Sequence, residues 1–152
     1  TAKNGFARAV SATGRYVAVG SSPPIVGREP TPLRVLDTTT GKLVLDTTWQ
    51  VSSRAGGLHF TADELRVLVL NGDGRGAWYR LPSGDKAEEW TVAPGSKVWS
   101  ARAVSVSADG GRVVFHGRLP TGATGDAVID GKTGAVVRRL DNPPYQPLAA
   151  AL

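Results

Sequence analysis

Cysteine and methionine are both absent from the 152 residues, and histidine occurs only twice. Without cysteine there is no disulfide and no thiolate metal centre, and the compartment stays open. No apolar run approaches the roughly 18 residues that span a bilayer as a helix, and no basic start with an apolar centre marks a signal peptide. Opening on Thr1 directly before a strand, the chain reads as an excerpt of a longer protein, from which a targeting segment could have been removed. Lysine is sparse, five against thirteen arginines, within a net charge of +5. The basic residues are scattered, the densest pair being Arg138-Arg139, so they describe a solvated basic surface better than a nucleic-acid footprint. Rich in Arg, Ala, Gly and Val, the composition suits a high-GC bacterial source.

Long helices are missing too. No stretch beyond about ten residues carries a helical period, while Gly and Pro together number 29, favouring many turns. The expected fold class is all-β, and 41% apolar residues suffice for a core.

What is present is a four-stranded unit, clearest over Ser100 to Leu140. Val104 and Val106 alternate with Ser105 and Ser107, the period of a half-buried strand. Ala108-Asp-Gly-Gly111 reverses the chain, and Arg112 to Gly117 follows with Val113-Val-Phe115, apolar on both faces and so expected to be covered on both. After a loop, Asp126 to Asp130 forms a third strand, Gly131-Lys-Thr-Gly134 a hairpin whose last Gly suits a left-handed position, and Ala135 to Leu140 a fourth strand.

Upstream, Phe6 to Val10, Ser11-Ala-Thr-Gly-Arg15 and Tyr16 to Gly20 repeat the opening, with Tyr16 to Gly20 read as a buried strand. Leu33 to Asp37, the Thr38 to Gly41 hairpin and Lys42 to Trp49 complete this copy. Between them the prolines at 23, 24 and 30 exclude a strand interior. A second copy starts near Arg54, with Leu58 and Phe60 facing one way and His59 the other. It continues through Leu65 to Gly72, Ala77 to Leu81, the Pro82 to Asp85 hairpin and about Ala87 to Val92. The hairpin glycines Gly41, Gly84 and Gly134 are spaced by 43 and 50 residues, within the range of repeat architectures.

Ser-Ala-Asp-Gly-Gly-Arg before an apolar strand (107 to 112), with Val-Leu-Asp-x3-Gly-Lys (35 to 42) and Val-Ile-Asp-x3-Gly (128 to 134), resembles WD40-type β-propeller repeats. The pattern is degenerate. Leu36, Tyr79 and Ile129 stand where the name-giving Trp would be, its Asp survives only as Asp37 and Asp130, and no Gly-His pair opens a blade. The resemblance implies three blades, about 5–49, 54–92 and 100–140, in a single region 1–152, with 141–152 an extension or the start of a further blade. A closed propeller has roughly four to eight blades, so the expectation is a partial propeller completed by a longer chain or by a homodimer. A β-trefoil, also three four-stranded repeats, is the alternative.

Residues for chemistry are few. His59 and His116 fall in different repeats and form no metal site without a converging carboxylate. No Ser sits in a Gly-x-Ser-x-Gly elbow. Gly72-Asp-Gly-Arg-Gly76 lacks the Lys-Ser/Thr ending of a phosphate loop and a following helix. Asp73 and Asp126 supply one carboxylate per loop, too few for calcium. Glu88 and Glu89 point to opposite faces of a strand, a poor acid–base pair. Trp78 and Trp90 read as packing between sheets, leaving Trp99 as an exposed anchor. On the propeller reading, the loops joining second to third and fourth to first strands share one rim, and Arg28, Glu29, Arg75, Trp99 and Arg118 are the binding candidates there.

The expected function is a non-catalytic protein-interaction scaffold with a protein partner, no metal and no cofactor, as the resemblance implies. The alternative is a domain sensing a small molecule or glycan in a membrane-attached or extracytoplasmic protein. A hydrolase ranks last.

Overall fold

The computed structural model describes residues 5–21, 30–49, 57–71, 73–92, 97–98, 105–118 and 124–140. They form three antiparallel sheets. The first holds β1 (Gly5–Val10), β2 (Tyr16–Ser21), β3 (Thr31–Asp37) and β4 (Leu43–Trp49), in that order across the sheet. The second holds β5 (Gly57–Phe60), β6 (Arg66–Leu70), β7 (Arg75–Arg80) and β8 (Lys86–Thr91). The third begins with β9 (Lys97–Val98) and β10 (Ser105–Val106), which both pair with β11 (Arg112–Arg118), followed by β12 (Thr124–Asp130) and β13 (Val136–Leu140). The all-β expectation and its three four-stranded repeats therefore hold.

One local device folds each repeat. Ser11, Thr61 and Ser107 cap the turn after the first strand, each hydroxyl accepting a hydrogen bond from the amide five residues on, Tyr16, Arg66 and Arg112, at 3.0, 3.1 and 2.9 Å. Short polar side chains bond nearby backbone in this way, which is why they mark turns. At the hairpin between third and fourth strands, Gly41, Gly84 and Gly134 all take positive φ (69, 76 and 70°), as the sequence predicts.

The sheets stack face to face. Tyr16, Ala18, Leu33, Val35 and Trp49 of the first share a core with Val67, Val69, Ala77 and Tyr79 of the second. From the opposite face of the second, Leu68, Leu70, Trp78 and Trp90 share another with Val113, Ala127 and Ile129 of the third. The middle sheet is thus buried on both sides, and Val67 to Leu70 are all at or below 2% exposure. Full burial of such a side chain contributes about 1.5–3 kcal/mol.

Tyr16 to Gly20 departs from its expected full burial. Val17 and Val19 are only half-buried, and β3 alternates strictly between buried and exposed residues. Both strands lie in a sheet that packs on one neighbour through one face. Val114 is likewise half-buried, so β11 does not show the two-sided cover expected of it. β3 also starts two residues early and includes Pro32. Its partner β2 reaches only to Leu33, so the missing amide costs no ladder bond on that side. β9 falls inside a segment read as loop.

Candidate functional site

Each sheet has two ends. At one lie the tight turns, first to second strand and third to fourth; at the other lie the longer connections. Arg75 opens β7 at the longer-connection end, is 66% exposed along its side chain, and pairs with Asp73 at 3.3 Å. Arg118 closes β11 at the corresponding end of the third sheet, its backbone opposite Thr124 and Lys97. Neighbouring sheets thus carry the two arginines at equivalent corners. Arg28, Glu29 and Trp99 lie outside the described residues.

The glycine-rich segment before β7 is short for that end, running only from Leu70 of β6 to Arg75 of β7. The Asn71 amide donates to the Arg75 carbonyl at 2.7 Å, Gly74 to Asn71 at 3.1 Å, and Arg75 to the Asp73 carboxylate at 3.0 Å. These amides already have acceptors, so they do not form a cradle of free donors for phosphate. Gly76 is required by packing, since a β-carbon there would enter the Trp90 ring.

At the tight-turn end the carboxylates are anionic turn caps. Asp37 accepts from the Thr39 hydroxyl at 2.5 Å, from the amides of Thr39 and Thr40, and from Arg15 at 3.2 Å. These partners, the Thr39 hydroxyl foremost, hold its carboxyl down at about 2. Asp130 repeats the scheme, lowered chiefly by the Lys132 and Thr133 amides and with Arg112 beside it at 3.2 Å. Asp63 and Asp109 are lowered mainly by the hydroxyls of Thr61 and Ser107. A carboxyl held low by fixed donors is a poor proton carrier near neutrality. Asp37 and Asp130, the surviving aspartates of the repeat pattern, therefore serve the hairpin.

His59 is half-buried on β5 opposite Leu68, and burial pushes its imidazole below the ordinary 6.5. His116 lies on β11 opposite Asp126, in the next sheet. Among the described residues no three His, Cys, Asp or Glu gather to hold a metal. Glu88 is half-buried and Glu89 exposed, on alternate faces of β8. Trp78 and Trp90 pack between sheets, at 0% and 5% exposure, in the role the sequence assigns them. Trp49 is buried as well, beneath the Arg8 guanidinium at 5.8 Å.

Three ties between sheets escape sequence reasoning because their partners lie 41 to 53 residues apart. The Glu64 carboxylate of the second sheet accepts from the Thr13 amide at 2.6 Å and hydroxyl at 2.8 Å. Arg66 covers the Trp78 ring at 5.1 Å, faces Glu88 at 3.7 Å and donates to the Asp109 carbonyl. Gly131 offers its carbonyl to two tryptophans. The only sequence signal for these was a turn residue out of pattern, Glu64 where the sister turns have Gly14 and Gly110. Comparison with protein-family models and with curated proteins gives no match for the chain.

Proposed function

We propose that the chain is a non-catalytic protein-interaction module built from degenerate WD40-like propeller blades, and that it works as part of a larger protein or assembly. The blade reading is supported by the ladders: the four strands of each repeat pair in the order first to fourth, β9 adds to β11 of the sheet it precedes, and no described strand pairs with a strand of another sheet. A barrel closed across repeats, as a trefoil needs, would require ladders between them.

One observation carries the interaction reading. The acids at the tight-turn end are consumed in folding the turns, whereas the other end presents exposed Arg75 on a rigid two-sided sheet. Loops held by a packed scaffold are where binding surfaces usually lie, and arginine is enriched in them. The test is affinity capture of a defined partner from the source organism, repeated with Arg75→Ala and Arg118→Glu. Loss of the partner with an unchanged melting curve is expected. Retention by both variants, or a small molecule or glycan that shifts the melting temperature while no protein is captured, would replace this reading with the sensor one.

A further inference from the structure

The three repeats bury the same register row differently. Across the back of the second sheet run Phe60, Val67, Tyr79 and Lys86, and across the back of the third run Val106, Val113, Val136 and Ile129. Each of these backs lies under the front of the preceding sheet, so that Val67, Val113 and Ile129 are fully buried. The equivalent row of the first sheet is Val10, Val17, Leu36 and Leu43. Among the described residues nothing covers it, and Val10, Leu36 and Leu43 are 58%, 37% and 48% exposed. An apolar row spanning four strands is unusual on a free surface.

At the opposite end of the stack no described residue of another sheet covers the front of the third sheet. Its central residues are Val114 and Val128, with Arg138 beside Val128 at the position that Glu88 holds beside Trp78. Glu88 stands half-buried in that column with the Arg66 guanidinium at 3.7 Å, so a charged residue there does not keep two sheets from stacking. Among the described residues the chain therefore carries one unpaired back and one unpaired front of an interface that it forms twice internally, always front to back.

We propose that a second copy of this chain lays the front of its third sheet on the back of the first sheet, so that two chains complete each other. A front-to-back contact is heterologous, and it ends in a closed assembly only where its rotation closes. Because each partner supplies a face already matched to the other by the repeat, the second copy is the occupant that needs no new chemistry. The inference is independent of what the loop end binds.

The absence of cysteine makes the test direct. In both internal interfaces the equivalents of Val128, which are Val35 and Trp78, share a core with the equivalents of Leu36, which are Tyr79 and Ile129. Leu36→Cys and Val128→Cys proteins, mixed under mild oxidation, should form a 36-to-128 disulfide many-fold faster than either protein crosslinks with itself. By light scattering the unmodified chain should show at least twice its 15.9 kDa mass. Leu36→Glu should return it to the single-chain mass with its β circular dichroism retained, and Leu65→Glu, on an exposed turn, should not. A single-chain mass for the unmodified protein at high micromolar concentration overturns the proposal. So does rapid crosslinking of Leu36→Cys with itself, which would mean back-to-back pairing. Should Leu36→Glu unfold the chain, the cysteine pair decides.

Discussion

Trp78 and Trp90, on adjacent strands of the second sheet, donate their indole N–H groups to one and the same acceptor, the Gly131 carbonyl of the third, at 2.7 and 2.8 Å. A carbonyl oxygen has two lone pairs, and here both are used by the neighbouring sheet. The acceptor sits in the hairpin after Asp130, so the turn that ends one repeat's third strand also fastens it to the repeat before.

This sharing predicts strong coupling. Trp78→Phe or Trp90→Phe leaves Gly131 with one donor, and each should cost about 1 kcal/mol from the lost hydrogen bond, besides any loss of packing. The double variant leaves the buried carbonyl without a partner, which adds about 1–3 kcal/mol. Chemical denaturation of the four proteins should therefore give a double-mutant cycle that is more than additive. Simple additivity would mean that water or backbone movement replaces the donors.

Gly131 itself should tolerate no side chain. A β-carbon there would meet the Gly110 carbonyl oxygen, and the Gly131 amide already donates to the Gly111 carbonyl at 3.0 Å. Gly131→Ala is expected to destabilise by about 1–3 kcal/mol, the range for forced overpacking. Gly125→Ala, where the added carbon meets open space, should be nearly silent. Thermal melts of the two variants decide the matter, and equal melting temperatures would contradict it.

Glu64 holds φ at +57° where the sister turns have Gly14 and Gly110, at +80° and +71°. Its carboxylate compensates by accepting from Thr13 in the first sheet. Glu64→Gly should relieve the backbone while losing the tie, changing the melting temperature little. In a Thr13→Ala background the carboxylate has lost its hydroxyl partner, and the same substitution should raise the melting temperature. A fall in both backgrounds would show that the left-handed conformation carries no penalty here.

Acid should unfold the protein through its turn caps. Asp37, Asp63, Glu64, Asp109 and Asp130 are all held below their ordinary values, so the folded chain binds fewer protons than the unfolded chain in this range. Their stabilisation is complete above the unfolded values near 4 and fades as pH falls, Asp37 still contributing until about 2. His59, lowered by burial, adds an earlier loss that begins as pH drops through 6.5. Melting temperature against pH should decline in two stages. His59→Gln should flatten the first stage and Asp37→Asn the second.

The turns were readable in the sequence because their instructions are local: a Ser or Thr hydroxyl opens each turn after a first strand, and each hairpin before a fourth strand holds a hydroxyl, an Asp and a Gly within six residues. Sheet cover was not. Val17-Ala-Val19 and Val67-Leu-Val69 look alike as strings, and only the number of packed neighbours makes the first half-buried and the second fully buried. β9 escaped notice because two residues carry no period. Trp78 and Trp90 were recognisable as core, but their common acceptor, 53 and 41 residues away, was not. Arg75 opens β7 at the longer-connection end, whereas the roles of Asp37 and Asp130 emerged only with the hairpins they cap.

Every described backbone ladder begins and ends within one sheet. A gene duplication that copies one repeat therefore adds a complete sheet, with its ladders intact and both faces ready to stack. Loss of a single strand would instead leave an open edge inside the stack. Growth and loss by whole repeats is the inexpensive route for this chain to diversify, while the turn caps, being internal to each repeat, are inherited unchanged with every copy.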